Sequence, residues 1–296
     1  MVSVLIPVHN YDVSGLIDVI YTQAEKEKIS YEIIVLDDAS NNLAFKKKNQ
    51  TKIENTSHCF LIEFSKNKGR TFARNTLAQK AKYDYLLFLD ADVLPKENNF
   101  IRQFLPYVNK YDLVFGGIDY TKNPPSEKQI LRWKYGRERE AKNVEERNKY
   151  HYLSVISMSL FIKKEVFLQV NNFYKNEYGL DVLFCKNLEE IKANIIHIDN
   201  PIIHYGLENS VSFLKKSAQA MNTIHQLGKM KKIPEDYRPI QKINLMLNKL
   251  KLTLIFRFIF KIFRKLILKN LKSKHPSLFL FDIYRLYHFN NRISNG

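Results

Sequence analysis

The stretch Tyr83-Asp84-Tyr85-Leu86-Leu87-Phe88-Leu89-Asp90-Ala91-Asp92-Val93-Leu94-Pro95 constrains the fold more than any other. Uncharged apolar residues from Tyr85 to Leu89 run without alternation into two carboxylates one residue apart. A short continuous run of this kind marks a strand buried on both faces, as in a parallel sheet with helices on either side. Pro95 stops its continuation. Asp90 and Asp92 are therefore predicted at the carboxyl end of a central strand, where open α/β sheets bind ligands. Two crowded carboxylates repel each other. A divalent cation with oxygen ligands removes that cost, and Mg²⁺ or Mn²⁺ takes substrate phosphates as further ligands. On this pair alone, a solvated strand-to-loop junction stays equally open.

The preceding chain reads as alternating strands and helices. Val2 to Val8 is a buried strand closed by Pro7 and the polar His9-Asn10. Helical spacing follows at Leu16, Ile17, Ile20 and Tyr21. Tyr31 to Leu36 is the next strand and ends in Asp37-Asp38. Cys59 to Phe64 is a third, followed by a Gly turn and a helix over Asn67 to Leu77. This alternation predicts a doubly wound, mostly parallel sheet. No G-x-G-x-x-G follows the first strand, and no P-loop is present, so a glycine-rich loop is not what holds a phosphate.

Further along, residues 97–109 read as a helix, and Leu113 to Ile118 as a strand whose glycines allow close approach. Glu127 to Arg147 reads as one long polar helix, either solvated or serving as an acceptor-side lid. Ser157 to Ile162 is a strand, Gly179 opens a helix with Asp181 in its first turn, and two short extended pieces end at Ile198 and Tyr205. An acid in a first turn is favoured by the helix dipole whatever its function.

In this order the pieces resemble the family 2 glycosyltransferases with the GT-A fold, over about Val2 to Gly206. The resemblance rests on Val4-Leu5-Ile6-Pro7-Val8-His9-Asn10, Glu32 to Ser40 with Asp37-Asp38, Asn67-Lys68-Gly69 with Ala73-Arg74-Asn75, Leu89-Asp90-Ala91-Asp92, and Gly179-Leu180-Asp181 with His204 downstream. It implies a GT-A, Rossmann-like, mostly parallel sheet flanked by helices. It implies a nucleotide-sugar site built by Pro7, Val8, His9, Asn10, Asp37, Asp38, Asn67, Gly69, Arg74, Asp90 and Ala91. There Pro7 to Asn10 wall the base, Asp38 accepts a hydrogen bond from it, and Asp90 contacts the ribose. Mn²⁺ or Mg²⁺ is implied on Asp92 and His204, with a satisfied loop histidine as the alternative for His204. Arg74 and Asn75 either orient carboxylates and diphosphate or pack helices. Asp181 matches the family's catalytic base. The family usually carries Glu before it, whereas this chain has Leu180; that departure keeps open a non-catalytic sugar-nucleotide or glycan-binding relative.

Of the net charge of +17, the segment from Tyr237 to Gly296 carries +12, from thirteen Lys or Arg against Asp282 alone. The basic character thus belongs to a C-terminal extension. Asn244 to Leu271 is predicted as a cationic amphipathic helix: at 100° per residue Arg257, Lys261, Arg264, Lys265 and, just past it, Lys272 share an arc of about 100°. Bulky apolar residues cover most of the rest. The pattern suits a helix lying in an anionic membrane surface. Packing on the protein is the competing reading. Nucleic acid is disfavoured, because the aromatic residues lie away from the cations.

The expected organisation is a catalytic domain over 1–208, with a donor half near 1–95 and an acceptor half near 96–208. A helical region over 209–296 follows, its basic amphipathic tail near 237–296. Cys59 and Cys185 read as buried thiols, no run is long and apolar enough to span a bilayer, and Met1 to Val8 is already strand, without a leader pattern. The expected setting is the cytoplasmic face of a bacterial membrane, with a UDP-sugar donor and a glycan or lipid-linked sugar acceptor in surface-polysaccharide synthesis.

Overall fold

The structure, a computed structural model, describes residues 1–173 and 177–290. Its strands are β1 (Val2–Val8), β2 (Tyr31–Asp37), β3 (Cys59–Glu63), β4 (Tyr85–Leu89), β5 (Val93–Pro95), β6 (Leu113–Phe115), β7 (Ile118–Asp119), β8 (Ser159–Lys163), β9 (Ile195–His197) and β10 (Ile202–His204). The helices are α1 (Ser14–Glu27), α2 (Leu43–Glu54), α3 (Arg70–Lys80), α4 (Phe100–Phe104), α5 (Ile130–Tyr135), α6 (Val144–Asn148), α7 (Lys164–Val170), α8 (Asp181–Glu190), α9 (Ser210–Lys229), α10 (Pro239–Lys249), α11 (Thr253–Leu271) and α12 (Leu278–Asn290). The chain divides into two compact units. The first comprises Met1–Thr121, residues 140–173 and Asn187–Gly206; the second comprises Lys122–Arg139, Glu177–Lys186 and the chain from Leu207 onward.

The first unit is built on a seven-stranded sheet of order β3-β2-β1-β4-β8-β6-β9. β1 pairs in parallel with both β2 and β4, and β2 with β3, while β8 runs antiparallel to β4 and to β6. All residues of β2 and β4 are buried, as their unbroken apolar runs require. The chain leaves β1 outward through α1 and α2, then returns across it through α3. Right-handed crossovers then put α3 on the opposite face from α1 and α2. Accordingly α1 packs with α2 and α4, and α3 packs with α7. The reversal of strand order falls between β1 and β4, which makes their carboxyl ends the crevice of the sheet.

Several predicted elements are shorter than the pattern suggested. Leu113 to Ile118 is two strands, because Gly116 and Gly117 let β7 leave the main sheet for a second one of order β5-β10-β7. The helix expected over 97–109 is only α4 plus one 3-10 turn containing Pro106. The long helix expected over Glu127 to Arg147 is broken into α5, a π-helical turn at Gly136–Glu140 and a separate α6. Asn143 starts α6 afresh by accepting a hydrogen bond from Glu146 N at 2.8 Å while Glu146 returns one, a capping box no continuous helix permits. Nor is that segment solvated throughout. Arg147 is buried and donates to the carbonyls of Phe115 and Ile198 at 3.2 and 2.9 Å, tying α6 to the edge strands.

In the second unit α9 and α12 pack together, with α5 against both, and α11 lies on α12. Their core holds Leu131, Phe213, Leu214, Phe260, Phe281 and Tyr284. The helix predicted over Asn244 to Leu271 is two helices, broken by Lys251 in a left-handed conformation at φ 57°. Among the described residues, no helix is long and apolar enough to cross a membrane.

Burial holds His197 at a pKa of about 4, although it donates to the His151 carbonyl at 2.8 Å. The unfolded chain takes up this proton near pH 6.5, so its contribution is complete above that pH and lost as pH falls toward 4. Urea midpoints measured at pH 7 and pH 5 are expected to drop, and to drop less in His197→Gln. An equal drop in that variant would place the acid sensitivity elsewhere.

Candidate functional site

The crevice is set by how β4 ends. Asp90 N donates to Met158 O at 2.9 Å, so the chain is still paired to the β8 side when the first carboxylate appears. Each Asp90 oxygen meets its own guanidinium: Arg70 Nη2 lies 2.7 Å from Oδ2 and Arg74 Nη2 lies 2.6 Å from Oδ1. Positions 70 and 74 stand one turn apart on α3 and so share a face. Arg70 also reaches Ser157 Oγ at 3.2 Å, and Arg74 donates to the Ser157 carbonyl. Arg74 is buried and half-exposed Arg70 forms the outer side of the clamp. Neither Arg70 nor Ser157 was expected in the site from sequence. The i, i+4 arginine pair was a visible signal, but Ser157 is brought in by strand pairing alone.

Asp92 belongs to a different environment. After the turn at Asp90-Ala91-Asp92 the chain forms β5, which pairs antiparallel with β10 so that His204 stands opposite Val93. Tyr205 N donates to Asp92 O at 2.9 Å. That register brings His204 Nε2 to 3.2 Å from Asp92 Oδ2. The Tyr120 ring stands edge-on to His204, centroids 5.6 Å apart. Burial pushes the Asp92 carboxyl up, but the His204 hydrogen bond and charge, with Arg70 beyond, outweigh it and hold the carboxyl below its usual range. Gly206 has no room for a side chain, because a Cβ there would overlap the Asp92 carboxylate.

The Asp92 and His204 donor set, one carboxylate oxygen and one imidazole nitrogen, fits a divalent ion. The 3.2 Å between Nε2 and Oδ2 is close to the roughly 3.0 Å edge between neighbouring ligands of an octahedral ion with bonds of about 2.1 Å. Among the described residues no group of three or more His, Cys, Asp or Glu is gathered in that way. Such an ion would take its other ligands from water and from a phosphate-bearing substrate, as Mg²⁺ commonly does.

The strand ends beside β4 are held by polar clasps. Asp38, buried at the end of β2, accepts from Lys68 N at 2.7 Å and Gly69 N at 2.8 Å. Its carboxylate thus fixes the entry to α3. Gly69 precedes that helix at φ 86° and ψ 166°, a region only glycine occupies freely. Asp37 caps the following turn through Ser40 N at 2.7 Å. Val8 O, beside Pro7, accepts from Asp38 N at 2.8 Å. His9 Nδ1 donates to Asp38 O at 3.0 Å, and Asn67 Nδ2 lies 3.3 Å from the same carbonyl. Asn10 Oδ1 accepts from both Asn41 N and Asn42 N at 2.9 Å. Pro7 to Asn10, Asp37, Asp38, Asn67 and Gly69 therefore form one connected rim. Asn75 faces away from it, accepting from Asn171 Nδ2 at 2.8 Å in the packing of α3 on α7.

A cavity of about 310 Å³ opens beside Ala91 and Asp92, lined also by Tyr11, Asp12, Lys48 and Tyr205. Lys48 pairs with Asp12 at 2.6 Å, and burial together with Asp92 and Asp12 raises the Tyr11 phenol. Asp181 stands in the second unit, exposed in the first turn of α8. Leu180 beside it is buried, as are Val182 and Leu183 after it.

Gly69→Ala is expected to cost about 1–3 kcal/mol of stability, read as a lower urea midpoint. A midpoint equal to the parent's would mean that this backbone does not need glycine.

Residues 3–165 match the family model described as Glycosyl transferase family 2, which is more than half of the chain. No curated protein matches the sequence closely enough to serve as a relative. Among solved structures, the fold is similar to that of a mannosyltransferase from Pyrobaculum calidifontis in complex with GDP-Man and Mn²⁺. Identity is 16% and the TM-score 0.52, over 76% of this chain and 64% of that one, so this chain spans less than two thirds of that neighbour. It is also similar to glucosyl-3-phosphoglycerate synthase from Mycobacterium tuberculosis in complex with Mn²⁺, UDP and phosphoglyceric acid, at 13% identity and TM-score 0.52 over 80% of each chain. At these identities the likeness speaks for the fold.

Proposed function

Because the chain belongs to glycosyl transferase family 2, we propose that it moves a sugar from a nucleotide-sugar, a UDP-sugar, to a hydroxyl of a lipid-linked or membrane-proximal glycan, with inversion at the anomeric carbon. The observation that carries this reading is the pair Asp92–His204 at the switch point of the sheet, next to an Asp90 whose charge two arginines already balance. Asp92 and His204 would hold Mn²⁺ or Mg²⁺, which supplies Lewis-acid stabilisation of the charge growing on the diphosphate leaving group. Pro7 to Asn10, Asp37, Asp38, Asn67 and Gly69 shape the base site, and Asp90, aligned by Arg70 and Arg74, accepts from the ribose hydroxyls. Asp181 takes the proton of the acceptor hydroxyl as its oxygen bonds to the anomeric carbon. The bond from that carbon to the diphosphate oxygen breaks on the opposite face.

The setting that suits this chemistry is surface-polysaccharide synthesis in a bacterium, with the protein peripheral on the inner face of the cytoplasmic membrane. A catalytic domain near 1–208 and a helical region near 209–296 divide the work between sugar transfer and attachment. A second reading, a non-catalytic sugar-nucleotide or glycan-binding protein of the same fold, draws its support from the buried Leu180.

Thermal shifts with a panel of nucleoside diphosphates, with and without Mn²⁺, test the donor site, since a ligand of the folded state raises the melting temperature. UDP is expected to give a metal-dependent rise that is lost in Asp92→Ala and in Gly206→Ala. A rise with another nucleotide instead overturns the uridine assignment, and no rise with any of them overturns the donor site. Asp181→Asn is expected to lower turnover by roughly 10²–10⁴ with an unchanged UDP shift. Normal turnover in that variant removes Asp181 from the role, and no turnover in the parent, with the UDP shift intact, selects the non-catalytic reading.

A further inference from the structure

α11 contains no acidic residue, and its side chains fall into four rows with a spacing of four residues. Two rows are apolar: Leu254, Phe258, Ile262 and Leu266 face outward, and so do Ile255, Ile259 and Phe263 of the next, which turns inward at Ile267 and Leu271. Exposures of 75, 65, 59 and 63% along the first row show that nothing among the described residues covers it. At 100° per residue the two rows span about 180° of the helix. A third side, Phe260, Ile267 and Leu271, is buried, with Phe260 stacked on Tyr287 of α12 at 3.9 Å between centroids. The fourth row, Arg257, Lys261, Lys265 and Lys269, borders the exposed stripe on the side away from the core. The apolar circle read from sequence therefore has two functions: a narrow strip docks the helix on its own unit, and a wider one is left outside. α12 is core instead of surface, with Leu278, Phe281, Tyr284 and Tyr287 buried.

We infer that this outward face of α11 is a docking surface for an anionic lipid bilayer, entered in the plane of the interface with the Leu254 row inserted and the Lys261 row at headgroup level. The inference deepens the membrane attachment proposed above, and it stands apart from the sugar chemistry. Charge selects the occupant. An apolar stripe edged by cations on a helix without acids matches phosphate headgroups over acyl chains. A second copy of the same face would bring two lysine rows into the same contact, with no carboxylate on either helix to offset them. A nucleic acid would leave a stripe of mainly Leu and Ile facing a polar backbone, with only Phe258 and Phe263 in it to meet a base.

The test is co-flotation of the full chain with vesicles of phosphatidylcholine alone or mixed with phosphatidylglycerol, at low and physiological salt. The parent is expected to float with the mixed vesicles at both salts and more weakly with phosphatidylcholine alone. Lys261→Gln, Lys265→Gln and Lys269→Gln together are expected to weaken binding to the mixed vesicles on the order of 100-fold, about fivefold for each charge at the surface. Phe258→Ser, Ile262→Ser and Leu266→Ser together change only exposed positions and are expected to abolish flotation with an unchanged melting temperature. The inference is overturned if the parent stays unbound to the mixed vesicles at physiological salt, or if the serine variant floats as the parent does. It is also overturned if the serine substitutions only turn a dimer into a monomer, or if the parent is retained on DNA and by no vesicle. The UDP shift measured on the same samples separates this outcome from that of the donor site, because these substitutions lie outside the first unit.

Discussion

Everything near the crevice depends on β1 being hydrogen-bonded in parallel to β2 on one side and β4 on the other. That double pairing makes β1 the point at which the chain reverses its direction across the sheet. The carboxyl ends of three strands then emerge side by side, and the loops leaving them are obliged to diverge. The gap they leave is polar because the segments that fill it, His9-Asn10, Asp37-Asp38 and Asp90-Ala91-Asp92, carry their own donors and acceptors. Most of those groups are committed to neighbouring backbone: Asp38 to the start of α3, Asn10 to the turn before α2, His9 to the carbonyl of Asp38. The rim is thereby rigid before any ligand arrives.

Two carboxylates separated by one residue would be a liability if both faced the same field. The structure gives each its own partners. Asp90 receives two guanidinium groups from one face of α3, while Asp92 is turned through the next bend toward His204 on β10. Asp90 is left as a charge-balanced acceptor. Asp92 keeps an imidazole beside it, and Gly206 presses against its carboxylate so that the side chain has little choice of direction. The same spacing in sequence thus yields one carboxylate closed in by two arginines and one set beside an imidazole.

Much of this was legible before the structure. The uncharged run of β4, its termination in Asp90 and Asp92, and the strand and helix alternation of the first part of the chain all follow from burial and periodicity. What was illegible has physical causes. β5, β7 and β10 have two or three residues each, too short for any period to register, and their pairing is what brings His204 to Asp92. Ser157 meets Arg70 and Arg74 because β8 runs beside β4, a long-range fact with no local mark. The segment from Glu127 to Arg147 is charged and helical in composition, yet Gly136 and the capping box at Asn143 divide it. In the tail, a wheel shows which residues share a side but cannot say that Phe260 and Ile267 face a core while Phe258 and Ile262 do not.

That division within α11 bears on how the protein can be handled. Removing the C-terminal helices to obtain a better-behaved sample would strip the exposed apolar stripe of α11. It would also take away Phe260, Ile267 and Leu271, whose loss from a packed interior costs several kcal/mol apiece, about 2–5 for each large side chain. The remaining α9 would then expose Phe213 and Leu214, trading one sticky surface for another. Point substitution on the outer rows therefore separates solubility from folding in this part of the chain.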